Sequence, residues 1–284
     1  MMATEPNWAE IEATVFAWED QCWLTCNGGY CCGNSHPKEF NFRIFRLDAS
    51  AIVYLGEEYD WMVANGAAPP SDMRKREFSF DFGGPRPLRA VVVDCDRKGL
   101  CEGCLIKPLQ CRIYPFIPVF DDTAKLVDLY PGSMYDLTFL KTDDQTPCTV
   151  WQTKREPYLV NWQKLPAFDL LRHPLIMFYF AAYKAFADIY LEMLGDSKTL
   201  AGLEGEDFWS AWEFQYLGRK LFDIPRIKSE IFAIYQQFEA RYGDFFPAAA
   251  AADPAAPGRG GPITRTAPTA AVAAETPNSL PPAE

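Results

Sequence analysis

Two cysteine-bearing stretches place the strongest constraint on how this chain can fold. They contain eight of the nine cysteines in the 284 residues, namely Cys22, Cys26, Cys31, Cys32, Cys95, Cys101, Cys104 and Cys111. Glycines lie between these cysteines and permit the tight turns that bring successive sulfur atoms together. Thiolates gathered in this way are the ligands of tetrahedral zinc and of iron–sulfur clusters. We therefore predict that these eight cysteines are metal ligands and that Cys148 is not.

The spacing of the cysteines favours several metal atoms over one. A single tetrahedral zinc ion takes four ligands, which is fewer than the thiols available. Cys31 and Cys32 are adjacent, and neighbouring side chains of an extended backbone point to opposite faces, so they serve two metal atoms more readily than one. We expect an iron–sulfur cluster as the cofactor. Zinc stays open as the alternative, because Cys101-Glu-Gly-Cys104 has the spacing of a zinc knuckle.

The beginning of the chain bears on the compartment in which these thiols act. Residues 1–8 contain neither the basic segment nor the apolar segment of a secretory signal, so we expect a cytoplasmic protein. Structural disulfides are uncommon in a reducing compartment, where clustered thiols more often bind metal. An odd number of cysteines also disfavours complete disulfide pairing.

Charge and hydropathy exclude two classes of partner. The formal net charge is −11, and no basic run is longer than Arg74-Lys75-Arg76, so the chain lacks the basic face that nucleic acid requires. The most hydrophobic stretch, 175–194, carries Lys184, Asp188 and Glu192 at intervals of four residues. On a helix these three residues form one polar stripe, which predicts a largely buried helix with one wet edge and no membrane span. A protein partner stays open and unidentified.

The pattern of apolar residues predicts an α+β fold, with a core of cysteine-rich loops and short hairpins and a mainly helical C-terminal half. Strands are expected at 40–47 and in two hairpins, 77–82 with 88–93 and 116–120 with 125–130. Helices are expected at 7–22 with Asn7 as its N-cap, at 50–65 with Gly66 beyond its end, and at 168–194, 205–222 and 226–242.

Composition divides the chain into three regions. We expect a cysteine-cluster metal-binding region at 1–165, a helical region that packs on it at 166–246, and a tail at 247–284. The tail is rich in alanine and proline and contains no aromatic residue. It cannot bury enough apolar surface to offset the entropy of ordering, so we predict that it is disordered.

The two cysteine stretches together resemble a known family. Cys22, Cys26, Cys31 and Cys32 end in a Cys-Cys pair, and the second stretch continues Lys107-Pro108-Leu-Gln-Cys111-Arg112-Ile-Tyr114-Pro115. Residues 20–130 are thereby similar to the YkgJ-type CxxCxxCC cysteine-cluster family, which is described as a putative iron- or zinc-chelating domain. The resemblance implies metal chelation by these cysteines. The chain departs from the pattern in the gaps of the first stretch, in Lys107 where arginine is usual, and in the additional Cys104.

Two residues beside Cys111 are candidates for cofactor binding. Arg112 has the donors to bind a cluster sulfur or an anionic substrate, or else forms a salt bridge that braces the loop. Tyr114 is expected to pack beneath the metal and restrict water. The adjacent carboxylates Glu57/Glu58, Asp121/Asp122 and Asp143/Asp144 are interpreted as charges on helix surfaces or loops.

No catalytic signature accompanies the cysteines, so the catalytic residues are unknown and the reaction is not assigned. The chain contains no glycine-rich phosphate loop, no G-x-S-x-G elbow and no H-E-x-x-H. The leading hypothesis is a metal-binding cysteine-cluster protein. One alternative is an iron–sulfur-dependent enzyme similar to protein lysine N-methylases, which carry a cysteine cluster of this general kind. The other is a structural zinc module that contacts another protein through exposed aromatic residues of its C-terminal helices.

Overall fold

The computed structural model describes residues 5–14, 16–17, 50–67, 69, 73–95, 107–142, 148–217 and 221–246, with only the backbone of Ser50, Ala51, Cys95, Leu217 and Phe222. All of these residues belong to one compact unit that ends at Pro247. The predicted strand at 40–47 and the predicted disordered tail lie outside the described residues.

Helices and strands alternate in the first half of the chain, and helices fill the second half. The elements in order are α1 (Trp8–Ala13), β1 (Ser50–Leu55), α2 (Gly56–Ala64), β2 (Lys75–Phe80), β3 (Leu88–Cys95), α3 (Leu109–Ile113), β4 (Phe116–Phe120), β5 (Leu126–Pro131), α4 (Met134–Thr142), α5 (Thr149–Trp162), a 3-10 helix (Pro166–Arg172), α6 (Pro174–Gly195), α7 (Gly205–Trp212) with a π turn (Glu213–Leu217), a short 3-10 turn (Leu221–Asp223) and α8 (Pro225–Tyr242). The predicted α+β class is confirmed.

A three-stranded antiparallel sheet organises the first half, with strand order β1-β3-β2. The β2–β3 hairpin confirms the prediction from alternating residues, and β3 runs on to Cys95 as expected. The predicted helix at 50–65 is wrong over its first six residues, which form β1. Ser50-Ala-Ile-Val-Tyr-Leu is apolar and partly β-branched, and it pairs along the whole length of β3, with Ser50 opposite Cys95. Tertiary pairing thus decided between helix and strand.

The second part of the helix predicted at 50–65 is confirmed. Helix α2 covers Gly56–Ala64, and Gly66 follows it with a φ of 71°, the left-handed conformation that glycine adopts readily. Helix α1 also begins as expected, because the Asn7 side chain accepts a hydrogen bond from the Glu10 backbone and donates one to its carboxylate. It ends at Ala13, well before the predicted Cys22.

The helical half packs around α6. Phe178, Ile189 and Tyr190 of this helix are buried among aromatic side chains of α7 and α8. The predicted polar stripe is present, since Lys184 pairs with Asp188 at 2.6 Å and Glu192 pairs with Arg226 of α8, also at 2.6 Å. Among the helices that the structure describes, none is both long enough and apolar enough to cross a bilayer.

Two helices were not predicted. Helix α4 follows β5 directly, and α5 contains Pro157 in its interior, where proline is normally a helix breaker. Cys148 lies at the N-cap of α5 and is buried. Burial of Trp162 at the end of α5 shows that packing compensates for the poor local signal of this segment.

Candidate functional site

The short helix α3 carries Cys111 and forms the centre of the candidate site. Leu109 and Ile113 are buried. Cys111, which lies midway between them in the sequence, is half-buried. A helix of one turn gains too few internal hydrogen bonds to be stable alone. Its position must therefore be fixed by contacts with other parts of the chain.

Arg112 connects α3 to the N-terminal segment. Its Nε donates to the Lys107 carbonyl at 2.9 Å, Nη1 donates to the Thr14 carbonyl at 3.2 Å, and Nη2 donates to the Glu12 carboxylate at 2.8 Å. The side chains of this ion pair are only 10% and 9% exposed, for Arg112 and Glu12 respectively. These contacts match the bracing salt bridge considered from the sequence.

The backbone just before the first cysteine stretch is held on the same helix. The Ala17 amide donates to the Arg112 carbonyl at 2.8 Å, and the Trp162 indole donates to the Phe16 carbonyl at 2.8 Å. Phe16 and Trp162 are also buried in one apolar cluster with residues of α1 and α3. The N-terminal segment is thus tied to α3 only five residues before Cys22.

Glu58 anchors the other side of α3 to the sheet region. It is completely buried, and its Oε1 accepts from the Leu109 amide at 2.5 Å while Oε2 accepts from the Leu55 amide at 3.1 Å. Gln110 adds a second tie, because its Oε1 accepts from the Val53 amide at 3.1 Å. The start of α3 is therefore bound both to the β1 edge and to the turn into α2.

The Glu58 carboxyl group is a hydrogen-bonding neighbour of Glu12. Burial, and secondarily the Glu12 charge, raises the pKa of Glu58 from 4.5 to about 8. Burial also raises the pKa of Glu12, although the Arg112 charge opposes that rise. Glu12 Oε1 is buried, and no other described residue donates a hydrogen bond to it.

The interpretation of Glu57 and Glu58 as surface charges is wrong. Glu58 has no exposed surface, and Glu57 is half-buried and accepts a hydrogen bond from the Tyr179 hydroxyl at 3.0 Å. Burial raises the pKa of Glu57 as well. Asp121 and Asp122 are exposed as expected, and Asp143/Asp144 lie outside the described residues.

Cys95 is the last residue of strand β3. Its neighbour Asp94 binds Arg76 of β2 at 2.5 Å, which holds the end of the hairpin together. The backbone pairing of Cys95 with Ser50 places the return from the first cysteine stretch beside the start of the second.

Tyr114 forms its hydrogen bond with the helical half of the chain. Its hydroxyl donates at 2.9 Å to Asp136, a buried carboxylate that also accepts from the Ser133 hydroxyl at 2.6 Å. This contact fixes the exit of α3 on helix α4. The predicted role of Tyr114 beneath a metal stays a prediction.

Most of the predicted ligands lie outside the described residues, namely Cys22, Cys26, Cys31, Cys32, Cys101 and Cys104, together with the side chain of Cys95. Within the described ranges, no group of three His, Cys, Asp or Glu side chains forms a metal-binding arrangement. The described part of the site therefore consists of Cys111 and the residues that hold its helix.

Sequence reasoning missed Glu12, Glu58 and Gln110, although each fixes α3. Glu58 carries a local signal, because a glutamate at the third position of a helix is typical of a capping box. Glu12 and Gln110 have no such signal, since their partners are far away in the sequence.

Comparison of the chain with protein-family models, with curated proteins and with solved structures finds no match. The function is therefore inferred from the sequence and from the contacts around α3.

Proposed function

We propose that this protein binds a metal centre through the thiolates of its two cysteine stretches. An iron–sulfur cluster is the favoured centre and zinc is the alternative. The proposed ligands are Cys22, Cys26, Cys31, Cys32, Cys95, Cys101, Cys104 and Cys111. The proposed setting is a cysteine-rich core within the α+β fold of a cytoplasmic protein, in keeping with the resemblance to the YkgJ-type family.

One observation carries this proposal: the described ends of the two cysteine stretches lie in two pairs, one at Arg112 of α3 and one across the β1–β3 ladder. The first stretch is entered from Ala17, bonded to Arg112, and left at Ser50, paired with Cys95. The second begins at Cys95 and returns at Lys107, whose carbonyl accepts from Arg112. Each pair joins an end of the first stretch to an end of the second, and this arrangement favours loops that meet.

Covalent reach supports the same conclusion. A chain extends by at most about 3.5 Å per residue, so Cys22 lies within about 18 Å of Ala17 and Cys104 within about 11 Å of Lys107. Both limits are upper bounds, and any turn shortens them. The donor set also fits the cofactor, since clustered thiolates are the usual ligands of iron–sulfur clusters and of structural zinc.

The decisive experiment is elemental analysis with a UV–visible spectrum on full-length protein purified without oxygen. Iron with acid-labile sulfide and charge-transfer absorption is the expected result. Stoichiometric zinc without colour would select the alternative, and protein that is folded but contains no metal would contradict the proposal.

Matched cysteine variants assign the metal to the two stretches. We expect Cys31→Ser, Cys32→Ser and Cys111→Ser to lose metal, because each removes a thiolate at the motif positions. Cys148→Ser is the control and should keep the metal content of the wild type, since that thiol is buried at the N-cap of α5. Equal metal content in all four variants would reject this ligand assignment.

One observation favours the zinc-module alternative. Phe214 in the π turn is 68% exposed, although its neighbours Trp212 and Tyr216 are buried. Aromatic residues are enriched at protein–protein interfaces relative to the rest of the surface. If the bound metal is zinc, we expect Phe214→Ser to abolish partner binding in a pull-down while leaving the melting temperature and the zinc content unchanged.

A further inference from the structure

We infer that Glu12 and Arg112 are positioning residues for the metal centre, because they hold the approach to the first cysteine stretch on the helix that carries Cys111. This inference rests on the proposed function and extends it to residues that are not ligands. It concerns a joint made of Glu12, Thr14, Ala17 and Arg112, which we call the α1–α3 joint.

The α1–α3 joint fixes the position of the N-terminal segment along α3, which apolar packing alone does not define. Trp8 and Ile11 pack in the same cluster as Leu109 and Ile113, but such contacts tolerate small shifts. The Arg112 guanidinium is a rigid fork, and its bonds reach two partners about a hundred residues away in the sequence. The fork therefore admits one placement of the N-terminal segment on α3.

The burial of the pair argues against a purely stabilising role. Taking two charges out of water costs free energy that their attraction only partly restores, and buried pairs often contribute specificity of arrangement in place of stability. Here both side chains are about nine-tenths buried. The arrangement they specify is that of the segment entering one cysteine stretch against the helix that ends the other.

The one-turn helix makes Cys111 sensitive to its surroundings. Three residues in or beside it are tied to distant elements: Leu109 to Glu58, Gln110 to Val53 and Arg112 to the N-terminal segment. Loss of one tie lets α3 shift or fray, because its internal hydrogen bonds are too few to hold it. A displaced Cys111 sulfur is a poorer metal ligand.

The test uses full-length protein and the variants Glu12→Gln and Arg112→Lys. Gln keeps the shape of Glu12 without its charge, and Lys keeps the charge of Arg112 without the fork. We expect metal affinity, measured by competition with a chelator, to fall roughly 10–100-fold in each, the range typical for residues that orient ligands. The double variant should be no weaker than the worse single variant, because both changes break the same joint.

A matched control separates positioning from general destabilisation. Thr138→Val removes a buried hydroxyl that lies 2.5 Å from the Tyr190 hydroxyl in the helical core and is not part of the α1–α3 joint. We expect it to lower the melting temperature without changing metal affinity. Trp162→Phe, which removes the bond to the Phe16 carbonyl, loosens the same segment without altering Arg112 and should weaken metal binding as well.

Hydrogen exchange of the peptide spanning residues 8–17 provides the second readout. Faster exchange there in Glu12→Gln and Arg112→Lys, with unchanged exchange in α6, would show that the joint has opened in a folded protein. Unchanged metal affinity in the opened variants would overturn the inference and leave the proposed function intact. Wild-type protein without metal would overturn the proposed function, and the inference with it.

Discussion

The helical core and the region around α3 are held together by different forces. The helical core consists of aromatic side chains, with Phe178 at ring-centroid distances of 5.4–6.0 Å from Tyr235, Phe238 and Phe245. Around α3, in contrast, a buried arginine and two buried glutamates hold short elements in place. Apolar packing is insensitive to pH and cofactor, whereas buried carboxyl groups respond to both. We therefore expect the helical core to supply most of the stability and the region around α3 to fix the geometry of the site.

The largest expected effect tests whether the helical core carries the stability. Phe178→Ala removes a fully buried ring at the centre of the aromatic cluster and leaves a cavity. We expect the free energy of unfolding to fall by about 3–5 kcal/mol. Urea denaturation at fixed pH measures this loss. If Phe178→Ala lowered the free energy of unfolding by less than Glu58→Leu does, the region around α3 would contribute more to stability than the helical core.

A smaller loss is expected from Glu58→Leu in the region around α3. The substitution leaves the Leu109 and Leu55 amides buried without an acceptor. Each unsatisfied amide costs about 1–3 kcal/mol, so we expect about 2–4 kcal/mol in total after partial relaxation. Denaturation of metal-free protein measures the loss without a contribution from metal binding. An unchanged stability would show that α3 is not anchored by Glu58.

The pH dependence of the free energy of unfolding distinguishes the region around α3 from the helical core. The pKa of Glu58 rises from 4.5 to about 8 on folding, so the native state holds a proton that the unfolded chain releases. The contribution of Glu58 to the free energy of unfolding therefore declines as the pH rises from about 4.5 to about 8. Glu58→Gln removes this titration, and we expect its melting temperature to fall less than that of the wild type between pH 6 and 8.

Melting curves of metal-free protein at several pH values provide this comparison. Phe178→Leu is the control, because it alters the helical core and leaves Glu58 in place, and it should keep the wild-type pH dependence. Parallel pH profiles for the wild type and Glu58→Gln would show that Glu58 does not carry the proton.

The smallest change in stability is expected from Cys148→Ser, which alters the cysteine at the N-cap of α5. Serine is a better N-cap than cysteine, but the site is buried against apolar side chains. The two effects oppose each other, so we expect Cys148→Ser to change stability by less than about 1 kcal/mol. Thermal denaturation measures this change. A loss of several kcal/mol would show that the thiol itself is essential for packing.

Local patterns predicted elements whose partners are close in sequence. The two hairpins, the start of α1 at Asn7 and the polar stripe of α6 all follow from alternation, capping or helical spacing, and the structure contains each of them. These signals involve residues only a few positions apart. The contacts that stabilise such elements are therefore visible in the sequence itself.

Predictions failed where distant contacts decided the outcome. Residues 50–55 joined β3 as a strand, and α5 formed across Pro157. Glu58 became buried because its acceptor oxygens meet the Leu109 amide, which lies 51 residues further along the chain. No local pattern specifies such a partner, so a pair of adjacent glutamates was interpreted as surface charge.

The α+β class, the positions of the cysteines and the chemistry that clustered thiols favour all follow from the order of the amino acids. The tertiary structure alone decided that the entry to one cysteine stretch and the end of the other are bound to α3. It did so through Glu12 and Arg112, whose attraction acts only after folding has brought α1 and α3 together. Charge pairing over a hundred residues depends on the packed apolar cores of the whole chain, and for that reason local sequence cannot reveal it.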